Sequence, residues 1–253
     1  MPTRKKVSRA KEKELLRQDV IDDLLPSMPI SNPIKRKIKV NQFPWTEKQK
    51  EFFKIALDKE TKIVFVNGPA GSSKTLLSVY CGLQLLNLKA ASDIMYLRSA
   101  VESSESRLGF LPGSAEEKLR FYNLPFLDKL EELLPETRVE KLEQEGRISM
   151  FPVNFARGMN WKNKCIILDE AQNSSIKEIV TVLTRLGEGS RAFVLADPMQ
   201  TDLHTGKEGA FQRLSNTFDD EESRDMGVRT FTFTAEDVMR SELCKFLVKK
   251  LGQ

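Results

Sequence analysis

Residues 62–88 read KIVFVNGPAGSSKTLLSVYCGLQLLNL. A short apolar run passes through a loop of small residues straight into an amphipathic stretch. The run at 62–67, built from Ile, Val and Phe, is the length and composition of a buried strand, and residues 74–88 repeat their apolar positions at helical spacing. Between them lie Gly68, Pro69, Ala70, Gly71, Ser72, Ser73, Lys74 and Thr75. A flexible loop there turns successive backbone N–H groups inward, and the positive end of the helix that follows adds to them, so the pair suits the phosphates of a nucleotide. Lys74 supplies a full charge to the β- and γ-phosphates and the Thr75 hydroxyl suits Mg²⁺. Ser73 departs from the pattern G-x-x-x-x-G-K-[ST], whose second glycine it replaces. If that backbone position has positive φ, a serine there costs about 1–2 kcal/mol. The competing reading is a chance turn with a surface lysine.

Further along, CIILDEAQN (165–173) is an apolar strand ending in two carboxylates. Beside a phosphate loop, Asp169 is the candidate for holding Mg²⁺ and Glu170 for orienting and deprotonating water. Alone, the same residues are a strand that ends in a polar turn. RAFVLADPMQTDL (191–203) brings Asp197, Gln200 and Asp202 to a third strand end, where the Gln200 amide can donate and accept at a γ-phosphate or its water. In WTEKQKEFFKIAL (45–57), Gln49 falls on an expected helix, either reading adenine through paired hydrogen bonds or standing as an ordinary helix-surface glutamine. Arg98, Arg107, Arg157, Arg185 and Arg240 fall at strand ends or in loops, where a guanidinium suits a phosphate or a surface ion pair. Arg240 is preferred as an arginine finger reaching a neighbouring subunit's nucleotide, because it follows the last strand and begins the last helix.

Strand-sized runs at 93–99, 148–153, 191–197 and 228–233 alternate with helical patterns at 175–187 and 237–252. The fold class is therefore α/β, a mostly parallel sheet covered by helices on both faces, with ligands at the carboxyl ends of the strands. Residues 103–146 are charged and strand-free, a helical insertion that carries either substrate contacts or structural cover. Its aromatics Phe110, Phe121, Tyr122 and Phe126 are core residues or base-stacking platforms. Residues 41–253 form the main domain; residues 1–40 form a basic extension with a short helix at 15–25 and a proline-rich linker. Those forty residues hold eleven Lys/Arg against five Asp/Glu, leaving −2 for the other 213. Such an arm grips a nucleic-acid backbone or serves only as a solvated tail.

Forty per cent apolar and 30% charged residues mark an ordinary globular chain, expected to be soluble, with no run near the roughly 20 residues a membrane helix needs. The start lacks the apolar segment of a secretory signal. Cys81, Cys165 and Cys244 have no paired spacing and His204 is the lone histidine. That composition points to the cytoplasm and away from structural zinc and histidine-based hydrolysis.

These blocks resemble the PhoH-like family of ATPases over residues 44–251, in family order: GPAGSSKT, then LRSAVESSESRLGFLPGSAEEKLRFYNLPFLDKL, FPVNFARGMNWKNKCIILDEAQN, LTRLGEGSRAFVLADPMQTDL and DVMRSEL. LGFLPG and LDEAQN are the specific ones. The resemblance implies a RecA-like P-loop NTPase core close to superfamily 1 helicases, ATP hydrolysis with Mg²⁺, RNA-directed activity and ring-shaped homo-oligomers such as hexamers. It puts phosphate binding on residues 68–75, the catalytic carboxylates on Asp169 and Glu170, and sensing on Gln200. Ser73, Ala196 and the run Arg240-Ser241-Glu242-Leu243 depart from the family pattern, which bears on rate and affinity more than on fold. Three activities remain open: an RNA translocase or helicase, a nucleotide-dependent binding switch with little unwinding, and a small-molecule kinase.

Overall fold

The computed structural model describes residues 33–98, 115–197 and 209–251. Six strands form one sheet: β1 (Ile63–Asn67), β2 (Asp93–Arg98), β3 (Ile148–Pro152), β4 (Lys164–Asp169), β5 (Arg191–Ala196) and β6 (Val228–Thr232). Their spatial order is β3-β2-β4-β5-β1-β6 and every neighbouring pair is parallel. Eight helices accompany them among the described residues: α1 (Glu47–Leu57), α2 (Lys74–Asn87), α3 (Ala115–Leu133), α4 (Glu136–Gln144), α5 (Ile176–Leu183), α6 (Ala210–Thr217), α7 (Glu221–Asp225) and α8 (Glu242–Leu251).

Alternation along the strands divides the core in two. Val64, Val66, Tyr96 and Ile167 face a cluster completed by Phe52 of α1, Leu77 and Leu83 of α2 and Leu130 of α3. Phe65, Leu97, Leu168 and Val194 face the other side, with Ile179 of α5 and Phe211 of α6. Both faces are covered, which is why the strands read as continuous apolar runs. This is the RecA-like P-loop α/β fold. None of the described helices is long and apolar enough to cross a membrane.

The order of the strands decides what meets at their carboxyl ends. β5 lies between β1, which leads into the phosphate loop, and β4, which carries Asp169. Gly68 N–H donates to Ala196 O at 3.2 Å, tying the start of the loop to the end of β5.

Several boundaries differ from the sequence-based expectation. Residues 34–40, expected as linker, lie along the domain: Ile34, Ile38 and Val40 are buried in the core, and Ile38 exchanges two hydrogen bonds with the Asn87 side chain. The last helix begins at Glu242 rather than 237. Thr234 and Asp237 close a capping box around a 3₁₀ turn, and Met239 N–H is drawn to Gly71 O at 2.9 Å, so the backbone there serves the phosphate loop instead of a helix. The described part of the insertion is helical, as α3 and α4, and α3 carries Pro125 inside it. Phe126 is a core residue, fully buried and stacked on Tyr96 with ring centroids 4.5 Å apart.

Candidate functional site

The loop between β1 and α2 is held open for an anion by three backbone choices. Gly71 stands at φ +83°, and Ser73 at φ 65° and ψ 18°, in the left-handed region that glycine favours. The condition attached to Ser73 is met, and the serine hydroxyl makes no capping bond in return. Gly68 allows close approach: a Cβ there would meet the Phe233 Cβ at 2.8 Å. Ser72 Oγ donates to Pro69 O at 2.8 Å and closes the loop on itself.

Lys74 opens α2. Its Nζ donates to Gly68 O at 2.6 Å and Pro69 O at 3.0 Å. Burial lowers its pKa, against the pull of Asp197, Asp169 and Glu170. The Lys74 ammonium thus sits among three carboxylates beneath a loop of amides.

Thr75 Oγ1 donates to Asp169 Oδ2 at 3.0 Å, so the hydroxyl and carboxylate expected to share a cation lie side by side. Tyr96 donates to the same Oδ2 at 2.9 Å, and Glu170 N–H to Oδ1 at 2.9 Å. Burial, with Asp169 beside it, raises the Tyr96 phenol well above its ordinary value and keeps it a donor. One hydroxyl and one carboxylate fit Mg²⁺, which prefers oxygen ligands and keeps several waters and substrate phosphates rather than an all-protein cage. The described residues hold no cluster of three or more His, Cys, Asp or Glu that could hold a metal.

Successive residues of a strand point to opposite faces, yet Asp169 and Glu170 line the same cavity. The break lies at Glu170, whose backbone turns left-handed at φ 53° and ψ 38° ahead of the 3₁₀ turn Ala171–Asn173. Such a conformation costs on the order of 1–3 kcal/mol in a non-glycine residue and is characteristic of functional sites. Burial and the adjacent Asp169 raise the Glu170 pKa, outweighing the Gln172 hydrogen bond that lowers it. A carboxylate shifted in that direction is a better proton acceptor near neutrality.

Gln172 had no role in the sequence reading. Its Nε2 donates to Glu170 Oε2 at 2.5 Å and its Oε1 accepts from Asp197 N at 3.1 Å. One buried amide therefore clamps the ends of β4 and β5 together. Its position two residues after the carboxylate pair was the available signal.

These groups surround a cavity of about 710 Å³. Gln49 reaches it from α1, where Oε1 accepts from Thr46 N at 3.0 Å in a capping box. That bond takes one lone pair of the amide oxygen, so the side chain keeps an acceptor lone pair and the Nε2 donor for a ligand. Phe43 and Trp45 stand beside it with ring centroids 5.2 Å apart. Arg240 lines the same cavity from its own chain: the nearest atom to a Cβ placed on Gly71 is Arg240 Cδ, at 3.0 Å. It lies over the phosphate loop of its own chain, with the Met239–Gly71 hydrogen bond next to it.

The other arginines divide. Arg98 ends β2 in register with Asp169, and Arg157 follows the 3₁₀ turn after β3. Arg185 sits by Trp161 on the approach to β4, at the end of the sheet remote from Asp169. Gln200, Asp202, Arg107, Phe110, the short helix at 15–25, the LGFLPG block and the side chains of Phe121 and Tyr122 lie outside the described residues. Cys81 and Cys165 are buried thiols, Cys165 pushed up to about 12, which leaves them protonated and inert.

A family model described as PhoH-like protein matches residues 42–251. A PhoH-like protein of Mycobacterium tuberculosis is 35% identical over 205 residues, 81% of this chain and 56% of that protein. One from Bacillus subtilis is 39% identical over 158 residues, 62% of this chain and 49% of its own. Protein PhoH of Escherichia coli K12 is 32% identical over 201 residues, 79% and 55%. The chain spans about half the length of the curated relatives it matches.

Proposed function

The chain belongs to the PhoH-like protein family and is a P-loop NTPase of ATPase type, and from that premise we propose that it hydrolyses ATP with Mg²⁺ and couples turnover to movement along, or unwinding of, RNA or another single-stranded nucleic acid. The observation that carries the hydrolytic half is the convergence of Lys74, Thr75, Asp169 and Glu170 on one cavity.

In this reading the amides of residues 68–75 hold the phosphates and Lys74 exchanges its contacts with Gly68 O and Pro69 O for phosphate oxygens. Thr75 and Asp169 would hold Mg²⁺, which neutralises charge building on the phosphates. Glu170, raised by burial and oriented by Gln172, takes the proton of the attacking water. Gln172 reports the state of Glu170 to β5 through Asp197 N–H, and Gln200, three residues on, senses the γ-phosphate. Arg240 adds positive charge over Gly71 from within the subunit, and Gln49 lies at the base end of the cavity. The chain acts in the cytoplasm as a ring-shaped homo-oligomer, such as a hexamer, whose neighbouring subunit supplies the second face that monomeric helicases build from a second domain.

Strand displacement tests the coupling. A labelled RNA duplex with a single-stranded overhang is incubated with the protein and ATP. ATP-dependent release of the strand, absent with a non-hydrolysable analogue, supports it; no release from any RNA or DNA duplex removes the helicase half. A second reading, a nucleotide-dependent binding switch, draws on Lys74 being engaged by its own loop and on the strained Ser73. Large differences in nucleic-acid affinity between ATP and ADP, without directional movement, would favour it.

A further inference from the structure

Behind the candidate metal carboxylate stands a side chain that no step above uses. Tyr96 is fully buried in the middle of β2, pairs in register with Ile167 of β4, and lies on the same face of the sheet as Asp169, one strand pair before it. That diagonal lets its hydroxyl reach Asp169 Oδ2 at 2.9 Å, beside the bond from Thr75. On its other side the ring is stacked on Phe126, centroids 4.5 Å apart and planes within 15°. Phe126 is fully buried on α3, next to Pro125, which lines the nucleotide cavity. Lys129 and Glu132 follow Pro125 at intervals of four and three residues and line the cavity too, so one stripe of α3 faces the nucleotide as the adjacent position grips Tyr96.

We propose that Tyr96 is the positioning residue for the metal carboxylate, and that the Phe126–Tyr96–Asp169 chain lets the helical insertion set the affinity of the site for Mg²⁺. The physical case is one of geometry. A buried carboxylate can rotate about its terminal torsion, which is broad rather than locked, and only one orientation presents an oxygen beside Thr75. Three donors hold it there: Thr75 Oγ1, Glu170 N–H and Tyr96 Oη. Thr75 is itself a candidate ligand and Glu170 N–H bonds the other oxygen, which leaves Tyr96 as the donor on Oδ2 that belongs wholly to the supporting layer. Groups of that kind set ligand orientation, and their loss costs about 10–100-fold in metal affinity. The stack onto Phe126 fixes the phenol in turn, so a shift of α3 is transmitted to the carboxylate through two rigid rings and one hydrogen bond.

The inference rests on the reading of Asp169 as a metal ligand, and its test separates the two. Binding of a fluorescent ATP analogue is measured at equilibrium, first in EDTA and then across a MgCl₂ titration, with folding checked by circular dichroism. Tyr96→Phe keeps the stack and removes the hydroxyl; it should leave binding in EDTA unchanged and raise the Mg²⁺ half-saturation about tenfold. Phe126→Leu keeps the hydroxyl and removes the stack; it should raise the half-saturation by a smaller factor, and the double variant should be no worse than Tyr96→Phe alone, as members of one chain behave. An unchanged half-saturation in Tyr96→Phe overturns the proposal. So does an equal loss in EDTA, which would make Tyr96 a part of the cavity wall only. Asp169→Asn provides the separate check: if it leaves the Mg²⁺ dependence unaltered, the reading of Asp169 has failed whatever Tyr96 does.

Discussion

Replacing Ser73 with glycine takes a Cβ away from a backbone that stands at φ 65° and ψ 18°. A non-glycine residue in that left-handed region costs about 1–2 kcal/mol, and Ser73 recovers none of it, since its hydroxyl caps nothing. Glycine also loosens the unfolded chain, which returns about 0.4–1 kcal/mol to the unfolded side. The difference leaves S73G more stable by about 0.5–1 kcal/mol. In a domain of this size about 1 kcal/mol moves the unfolding midpoint by about 2–4 °C, so thermal unfolding should shift upward by about 2 °C. Because a ligand changes an equilibrium only by its differential affinity, a loop that keeps this backbone with nucleotide bound carries the strain in both states. Affinity for a fluorescent ATP analogue should then change by less than about threefold. A lowered midpoint would refute the reasoning, because it would mean that the serine contributes more through its surroundings than its backbone costs.

The raised pKa of Glu170 gives a signed prediction. An acid whose folded value lies above its unfolded one stabilises the fold only while protonated, below the unfolded value, and that contribution is lost as pH rises through the folded value. Ionised Glu170 therefore weakens the fold at neutrality, so Glu170→Gln should raise the melting temperature near pH 7 while abolishing hydrolysis, with the gain fading by about pH 4. In the native chain, hydrolysis should fall off on the acid side at a pH above the ordinary carboxylate range, read from a pH–rate profile. Gly68→Ala should destabilise by about 1–3 kcal/mol in urea unfolding, since the added methyl meets Phe233 Cβ at 2.8 Å and pushes the segment that leads to Arg240 off the loop. The position of Arg240 is tested by mixing: if it acts in cis, Arg240→Ala and Lys74→Ala proteins mixed together release no more phosphate than the two measured separately, whereas recovered activity would establish action in trans.

The strands and their order of chemistry were legible because each signal was local. An apolar run, a loop of small residues and a lysine at a helix start lie within residues 62–75, and two carboxylates close one strand. What escaped depended on the third dimension. Gln172 looks like any turn glutamine until β5 is inserted between β1 and β4 and its Oε1 meets Asp197 N–H. Tyr96 reads as one more apolar strand residue until the β2–β4 register sets it diagonal to Asp169. Arg240 was read as beginning the last helix because periodicity runs through 237–252; the helix starts at Glu242, and a hydrogen bond from Met239 to Gly71 holds the preceding segment over the loop. Gln49 was placed on its helix correctly, and the capping box that holds its amide is written in Thr46, three residues earlier, and could have been read.

Phosphate release from ATP, with and without single-stranded RNA, tests the central claim most directly when the native chain is compared with Lys74→Ala and Glu170→Gln. The account expects hydrolysis by the native chain, stimulation by RNA, loss of nucleotide binding in Lys74→Ala, and retained binding without turnover in Glu170→Gln. A native chain that binds ATP yet releases no phosphate under any condition would contradict it and leave the binding switch in its place.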